Sequence, residues 1–270
     1  MLKTRILTAL VALPLFLAAL FLLPETYWGL FLLVLVLIGA WEWGKLAKFS
    51  GGTLSAYLLL TLLSGLAIFY FLGAAGGEAS RTGLPVWIYA IAAVFWMGAA
   101  PFYLGTHTPI KQTAIAMLVG WIVLVPTALA MFQLRAISPY LLLGFMATIW
   151  ISDTAAYFAG RAFGKHKLAP NTSPGKTWEG VVGAMLAVLI YALVWHSLGG
   201  VGALGLGLLP LLLLLAALGI VGDLFESLMK RQAGVKDSGH LLPGHGGILD
   251  RIDALTSTLP IAIFVLMMAS

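Results

Sequence analysis

The chain has 270 residues, 61% of them hydrophobic and 9% charged, with a mean hydropathy of +1.03. Soluble domains carry about 25% charged residues, so an ordinary soluble enzyme is excluded and the composition is that of a polytopic membrane protein. The lack of cysteine excludes disulfides and thiolate chemistry, five scattered histidines argue against structural zinc, and the net charge of +5 leaves nucleic acid or an anionic surface open until its distribution is known.

A spanning helix needs roughly 20 apolar residues. Nine segments approach this, at about 6–23, 28–44, 54–73, 85–104, 112–132, 138–158, 179–198, 201–222 and 250–269. The predicted fold is therefore all-α and polytopic, with about nine transmembrane helices. MLKTR followed by an apolar run imitates a secretion signal. The run from Ile6 to Leu23 is long enough to span and no small-x-small cleavage site precedes Pro24-Glu25, so it is read as a retained first helix. Pro14 and Pro126 fall inside the first and fifth segments and are expected to kink them. Ser138-Pro139 has the form of an N-cap followed by proline at the first helical position. Tyr27, Trp28, Trp41, Trp43, Trp178 and Trp195 suit the membrane interfaces. No soluble domain or internal repeat is evident. The chain divides into helices one to five (1–136) and a second region of helices six to nine (137–270) with polar loops at 159–178 and 223–251.

With the N-terminus in the cytoplasm, thirteen of the fifteen Lys and Arg residues lie on inner segments, leaving Arg81 and Arg135 outside. This positive-inside bias sets the orientation and places both polar loops in the cytoplasm. The basic excess thus reflects topology and anionic substrates rather than nucleic acid.

Dense charge between apolar runs marks a functional site. The stretch Ser227–Asp253 holds Lys230, Arg231, Lys236, Asp237, His240, His245, Asp250, Arg251 and Asp253. A solvated loop between helices is the plain alternative. Against it, Asp250 and Asp253 share one helical face, and Pro243-Gly244-His245-Gly246-Gly247 has little bulk to keep a ligand from the backbone. The last apolar run, Ala254–Ala269, has 16 residues, or about 24 Å, which is short of a ~30 Å hydrocarbon core. A spanning helix must then begin near Asp250, with both acids at the membrane boundary, neutralised by a cation or by Arg251. Asp223, Glu226 and Ser227 share a face if helix eight continues past Gly222. Asp153, in helix six, is the deepest acid, about 9 Å inside a helix ending near Ala159. Ser173, Lys176, Thr177 and Glu179 precede helix seven, whose free N–H groups suit a phosphate. Gly175-Lys176-Thr177 is not a Walker A loop, because Pro170 occupies the position of its first glycine and no strand is expected before it. His107 and His196 are read as structural, and Glu25, Glu42 and Glu78 as solvated or interfacial charges.

The 227–253 stretch resembles the signature of the phosphatidate cytidylyltransferases, S-x-x-K-R, four residues, K-D, then P-x-H-G-G-x-x-D-R-x-D. All its fixed positions are present: Ser227, Lys230, Arg231, Lys236, Asp237, Pro243, His245, Gly246, Gly247, Asp250, Arg251 and Asp253. The segment Tyr157–Gly180, with GRAFGKHKLAPNTSPGKTWEG, is similar to the same family. The resemblance implies the reaction CTP + phosphatidate → CDP-diacylglycerol + pyrophosphate, in phospholipid synthesis at a bacterial inner membrane. It implies that Asp223, Asp250 and Asp253, with Asp153 as a further candidate, hold Mg²⁺ and a second cation. Lys176, Lys230, Arg231, Lys236 and Arg251 would grip phosphates. Ser173, Thr177, Ser227, Asp237, His245, Gly246 and Gly247 would line the substrate site. It also implies a homodimer. A CTP-dependent polyprenol or phytol kinase and an anion or lipid transporter are the competing readings. The motif of the CDP-alcohol phosphotransferases is missing.

Overall fold

The computed structural model describes residues 2–75, 84–199 and 204–269, with side chains for 7–70, 85–199 and 204–269. Glu78, Arg81 and Ser270 lie outside the described residues, as do the side chains of Lys3 and Arg5. The helices are α1 (Leu2–Leu22), α2 (Glu25–Leu46), α3 (Gly51–Ala75), α4 (Leu84–Val94), α5 (Ala100–Thr106), α6 (Thr113–Ile137), α7 (Pro139–Phe163), α8 (Trp178–Ser197), α9 (Leu208–Ala233) and α10 (Leu249–Ala269). One π-helical turn, Phe95–Ala99, joins α4 to α5, so the expected fourth span is a single rod with a bulge. Among the described residues, eight helices are long and apolar enough to cross a membrane, and Leu7–Leu22 of α1 adds a shorter apolar helix. The all-α polytopic expectation holds, with one addition. Between α7 and α8 the chain folds back as a small antiparallel hairpin of β1 (Lys167–Ala169) and β2 (Ser173–Thr177).

Two boundaries differ from expectation in a way that matters. Helix α9 runs eleven residues past the expected end at Gly222, and α7 extends to Phe163. Leu224, Phe225, Leu228 and Met229 keep one side of α9 apolar and buried through this extension, so the polar face does not end the helix. Gly234, at φ 81, terminates it as a left-handed cap. Asp223 and Asp153 each lie ten residues inside their helices, or about 15 Å from the helix ends. Helices α1 and α6 continue through Pro14 and Pro126. Ser138 occupies the N-cap position of α7, but its side chain makes no capping bond.

Helices α6 and α10 form the centre. Helix α10 packs on α9, α6, α4 and α7, α6 packs on α2, and α7 pairs along its length with α8. Beneath the extended part of α9, the Phe225 ring is held by Trp43, Phe95, Trp96 and Tyr103, with centroids 5.4–6.3 Å away. At the opposite end of α6, the Arg135 guanidinium donates to the Leu20 and Leu23 carbonyls, capping the C-terminal end of α1.

Helices α9 and α10 approach most closely at Gly222. A Cβ there would lie 2.5 Å from Ser257 Oγ and 2.6 Å from the Asp253 carbonyl oxygen. Gly222→Ala must therefore push the two helices apart. It is expected to cost about 1–3 kcal/mol, visible as a lower thermal unfolding midpoint in detergent. Gly52→Ala, with open space around it in the first turn of α3, should not lower the midpoint.

Candidate functional site

The polar residues converge where α7, β2, α9 and α10 meet. On α9, Asp223, Glu226, Ser227 and Lys230 follow the i, i+3, i+4, i+7 pattern and share one face. Lys230 Nζ is 2.6 Å from Asp250 Oδ1 and 3.1 Å from Glu226 Oε1, and all three side chains are at most 10% exposed. The Ser227 hydroxyl donates to Asp223 Oδ1 at 3.2 Å. Lys176, the one hairpin residue to enter the cluster, places Nζ 2.6 Å from Asp223 Oδ2.

Asp253 makes no ion pair among the described residues; its Oδ1 accepts the Ala254 N–H of its own helix at 2.8 Å. It lies in the electrostatic field of Asp223, Asp153 and Lys230, and Asp153 in that of Asp223 and Lys176. Asp153 is exposed on the surface of the single chain. Five carboxylates (Asp153, Asp223, Glu226, Asp250, Asp253) thus face two lysines. Among the described residues, no three His, Asp or Glu side chains converge tightly enough to hold a metal ion as they stand.

Asp250 is the most heavily bonded of the acids. Besides Lys230 on Oδ1, its Oδ2 accepts from Ser238 N at 2.8 Å, Ser238 Oγ at 2.9 Å and Gly247 N at 2.8 Å. Gly246, at φ 84, closes a tight turn on Leu242, and a Cβ there would fall 2.5 Å from Asp250 Oδ2. Glycine is needed at 246 for both reasons. On its other side this turn lines a cleft of about 510 Å³ formed by Asp237, His240, Leu242–Gly246 and Arg251. That size falls in the usual range for small-molecule sites. His245 Nδ1 is buried there with no partner, an orphan polar atom that a ligand would satisfy.

The remaining expected residues are spread around this centre. Arg231 donates to the Thr172 and Val235 carbonyl oxygens, tying the end of α9 to the hairpin turn. Lys236 is exposed beyond the cleft lining. Ser173 pairs across the hairpin with Ala169. Thr177 Oγ1 accepts from Gly180 N as the N-cap of α8, and Glu179 accepts from His166 N and Nδ1. The expected anion site at the start of α8 is thus filled by the protein's own acceptors. Sequence reading missed Glu42 and Ser238. Glu42 is not solvated: it is 0% exposed and accepts from Ile248 N, Leu249 N and Ser238 Oγ. The available signal was a lone acid inside an otherwise apolar segment.

Lys230 offsets two buried carboxylates, so removing its charge strands both. Lys230→Met is expected to cost about 3–5 kcal/mol, whereas Lys176→Met, at a half-buried pair, should cost much less; thermal unfolding of the two variants compares them.

The model of the cytidylyltransferase family matches residues 3–269. The chain is similar, at 36% identity, to a Haemophilus influenzae protein named phosphatidate cytidylyltransferase, over 96% of each chain. It is 40% identical to a Pseudomonas aeruginosa protein of the same name, over 97% of this chain and 95% of that one. A Bacillus subtilis protein of that name is 43% identical over 122 residues. A full-length match to one family, on a bundle that gathers the signature residues around one polar cluster and cleft, places this chain in the cytidylyltransferase family.

Proposed function

We propose that this chain is a phosphatidate cytidylyltransferase, transferring the cytidylyl group of CTP to phosphatidate with release of pyrophosphate. The observation that carries the reading is the pairing of Lys176 with Asp223 and of Lys230 with Asp250, beside a polar cleft and inside a bundle of apolar helices. Each ammonium can exchange its carboxylate for a phosphate oxygen, and each carboxylate then needs another cation. The name borne by both full-length relatives supports the substrates.

The chemistry asks little of the protein beyond placement. An anionic phosphatidate oxygen forms a bond to the α-phosphorus of CTP. The bond from that phosphorus to the bridging oxygen of the β-phosphate breaks, and pyrophosphate leaves with the electron pair. No covalent protein intermediate or strong base is needed, so positioning and charge neutralisation supply the rate. Lys176 and Lys230 turn from their carboxylates to substrate phosphates. Arg251 and His245, in the cleft, bind the nucleotide, with Lys236 at its approach. The wall of apolar helices admits the acyl chains.

The donor set fits Mg²⁺: it is all oxygen, carries more negative than positive charge, and includes Asp253, which makes no ion pair among the described residues. Asp223 and Asp253 would hold the ion, with Asp153 and Asp250 as further carboxylates beside them. Bound there, Mg²⁺ would neutralise charge on the attacking and leaving oxygens; a second cation would take up the remaining negative charge. The homodimer rests on the family resemblance, and one chain supplies every residue named here.

We place the site at the cytoplasmic face of a bacterial inner membrane. Contacts join Glu42 to Ile248, His107 to Gln232, and Arg231 to Thr172, so one end of the bundle carries most of the inner-segment Lys and Arg. Cysteines at Lys165 and Val235 should resist an impermeant thiol reagent in intact cells, while one at Leu198 should react. The opposite pattern reverses the orientation.

Label from α-labelled CTP should enter the lipid, with γ-label released as pyrophosphate; γ-label in lipid would mean a kinase instead. Asp223→Asn and Asp253→Asn should each lower turnover about 100-fold or more, the usual scale for a lost electrostatic stabiliser, and shift its Mg²⁺ dependence. Near-parental rates in both would remove the metal site from these residues.

A further inference from the structure

Apart from Arg251 of α10, the cleft is lined by one loop, 234–248, between α9 and α10, and that loop contains no helix or ladder of its own beyond the Leu242–Gly246 turn. Something else must fix its shape. Its start, at Ser238, and its end, at Ile248 and Leu249, are brought to the same place by a residue from the other half of the chain. Glu42 of α2 accepts from Ser238 Oγ at 3.1 Å, Ile248 N at 3.0 Å and Leu249 N at 2.9 Å. Asp250 meets the same neck from the other side, through Ser238 N, Ser238 Oγ and Gly247 N. The Ser238 hydroxyl lies within reach of both carboxylates, and its single proton is shared between them rather than donated to each.

The surroundings of Glu42 are shaped for it. A Cβ at Gly239 would fall 2.5 Å from Glu42 Oε1, and one at Gly247 would fall 2.5 Å from both Glu42 oxygens. Two glycines therefore leave the space that the carboxylate fills. Glu42 forms no salt bridge among the described residues, and its neutralisation comes from the N–H groups opening α10 and from one hydroxyl. Such charge-assisted bonds at a helix start are strong and directional. A buried carboxylate this costly to desolvate is a poor choice for plain packing. It suits a residue that must hold two strands of a loop at one distance.

We propose that Glu42 is a positioning residue for nucleotide binding: it closes the neck of the 238–249 loop and so holds the cleft formed by Asp237, His240, His245 and Arg251 in a binding shape. It touches no substrate and acts through the loop. The inference rests on the cytidylyltransferase reading only in naming the cleft's occupant.

Glu42→Gln keeps the shape of the side chain but removes its charge and turns an NH₂ toward a backbone N–H of Ile248 or Leu249, so one of those charge-assisted bonds is lost. The test reads two quantities. One is the kinetics of purified full-length protein with CTP and phosphatidate. The other is the lineshape of a spin label on Leu241→Cys, an exposed loop position in a chain with no native cysteine. Glu42→Gln should raise KM for CTP about tenfold, the loss expected of one charge-assisted hydrogen bond, with kcat changed much less. The label at 241 should become more mobile. Ser238→Ala should do the same more weakly, and add little in the Glu42→Gln background because both act on one neck. Glu25→Gln, an exposed acid of the same helix, should leave both quantities at parental values. A parental KM and lineshape in Glu42→Gln would overturn the proposal. So would a lowered unfolding midpoint with KM and lineshape unchanged in the folded fraction, which would make Glu42 a stability residue only. If the parent protein fails to use CTP with phosphatidate, the cytidylyltransferase reading fails, and the lineshape alone still decides whether Glu42 closes the loop.

Discussion

Charge placed inside an apolar bundle must be neutralised where it sits, and the architecture depends on how this chain meets that demand. An unpartnered charge in such surroundings costs several kcal/mol. Each pairing therefore dictates which elements are neighbours. Lys230 binds α9 to α10 through Asp250. Lys176 binds the hairpin to α9 through Asp223. Arg135 binds α6 to the end of α1 through backbone carbonyls. Glu42 binds α2 to the start of α10 through backbone N–H groups. Apolar packing in lipid is weakly discriminating, because lipid tails compete with side chains on equal terms. The polar contacts supply the specificity that packing lacks.

Much of this was legible in the residues alone. Apolar run lengths located the helices, and the density of Lys, Arg and Asp between 223 and 253 located the site. The sequence could also place Asp223, Glu226 and Ser227 on one face, because helical spacing is a local property. It could not say where α9 stops. The stretch after Gly222 alternates buried and charged residues in a helical rhythm, which reads equally as a helix or as a polar loop until Phe225 is known to meet Trp43, Phe95 and Trp96. Nor could it say that Asp250 would be wrapped by Ser238 and Gly247, or that Thr177 and Glu179 would serve the hairpin and α8. Those bonds depend on backbone turns that no periodicity encodes. Glu42 was misjudged for a related reason. Its partners lie 196 to 207 residues away, and a lone acid near a helix end looks the same whether water or a second helix lies beyond it.

The hairpin shows how a small non-helical element earns a place in such a bundle. It is held at its base by Glu179 and His166, and at its turn by Arg231 and a contact of Thr172 with His107. Between those fixed ends it delivers one lysine to the acids of α9.

Glu42 also sets an order of assembly. The ribosome makes it 206 residues before Ile248, which at bacterial-scale synthesis rates of about 5–20 residues per second is an interval of about 10–40 s. Throughout that time α2 carries an acid whose eventual donors do not exist. The acid sits four residues from the end of α2. Helix α10 is then the one whose start supplies the N–H groups that take this carboxylate out of water. Until α10 has joined α2, Glu42 lacks the backbone donors that satisfy it, and the two ends of the 238–249 segment have nothing from α2 to hold them together.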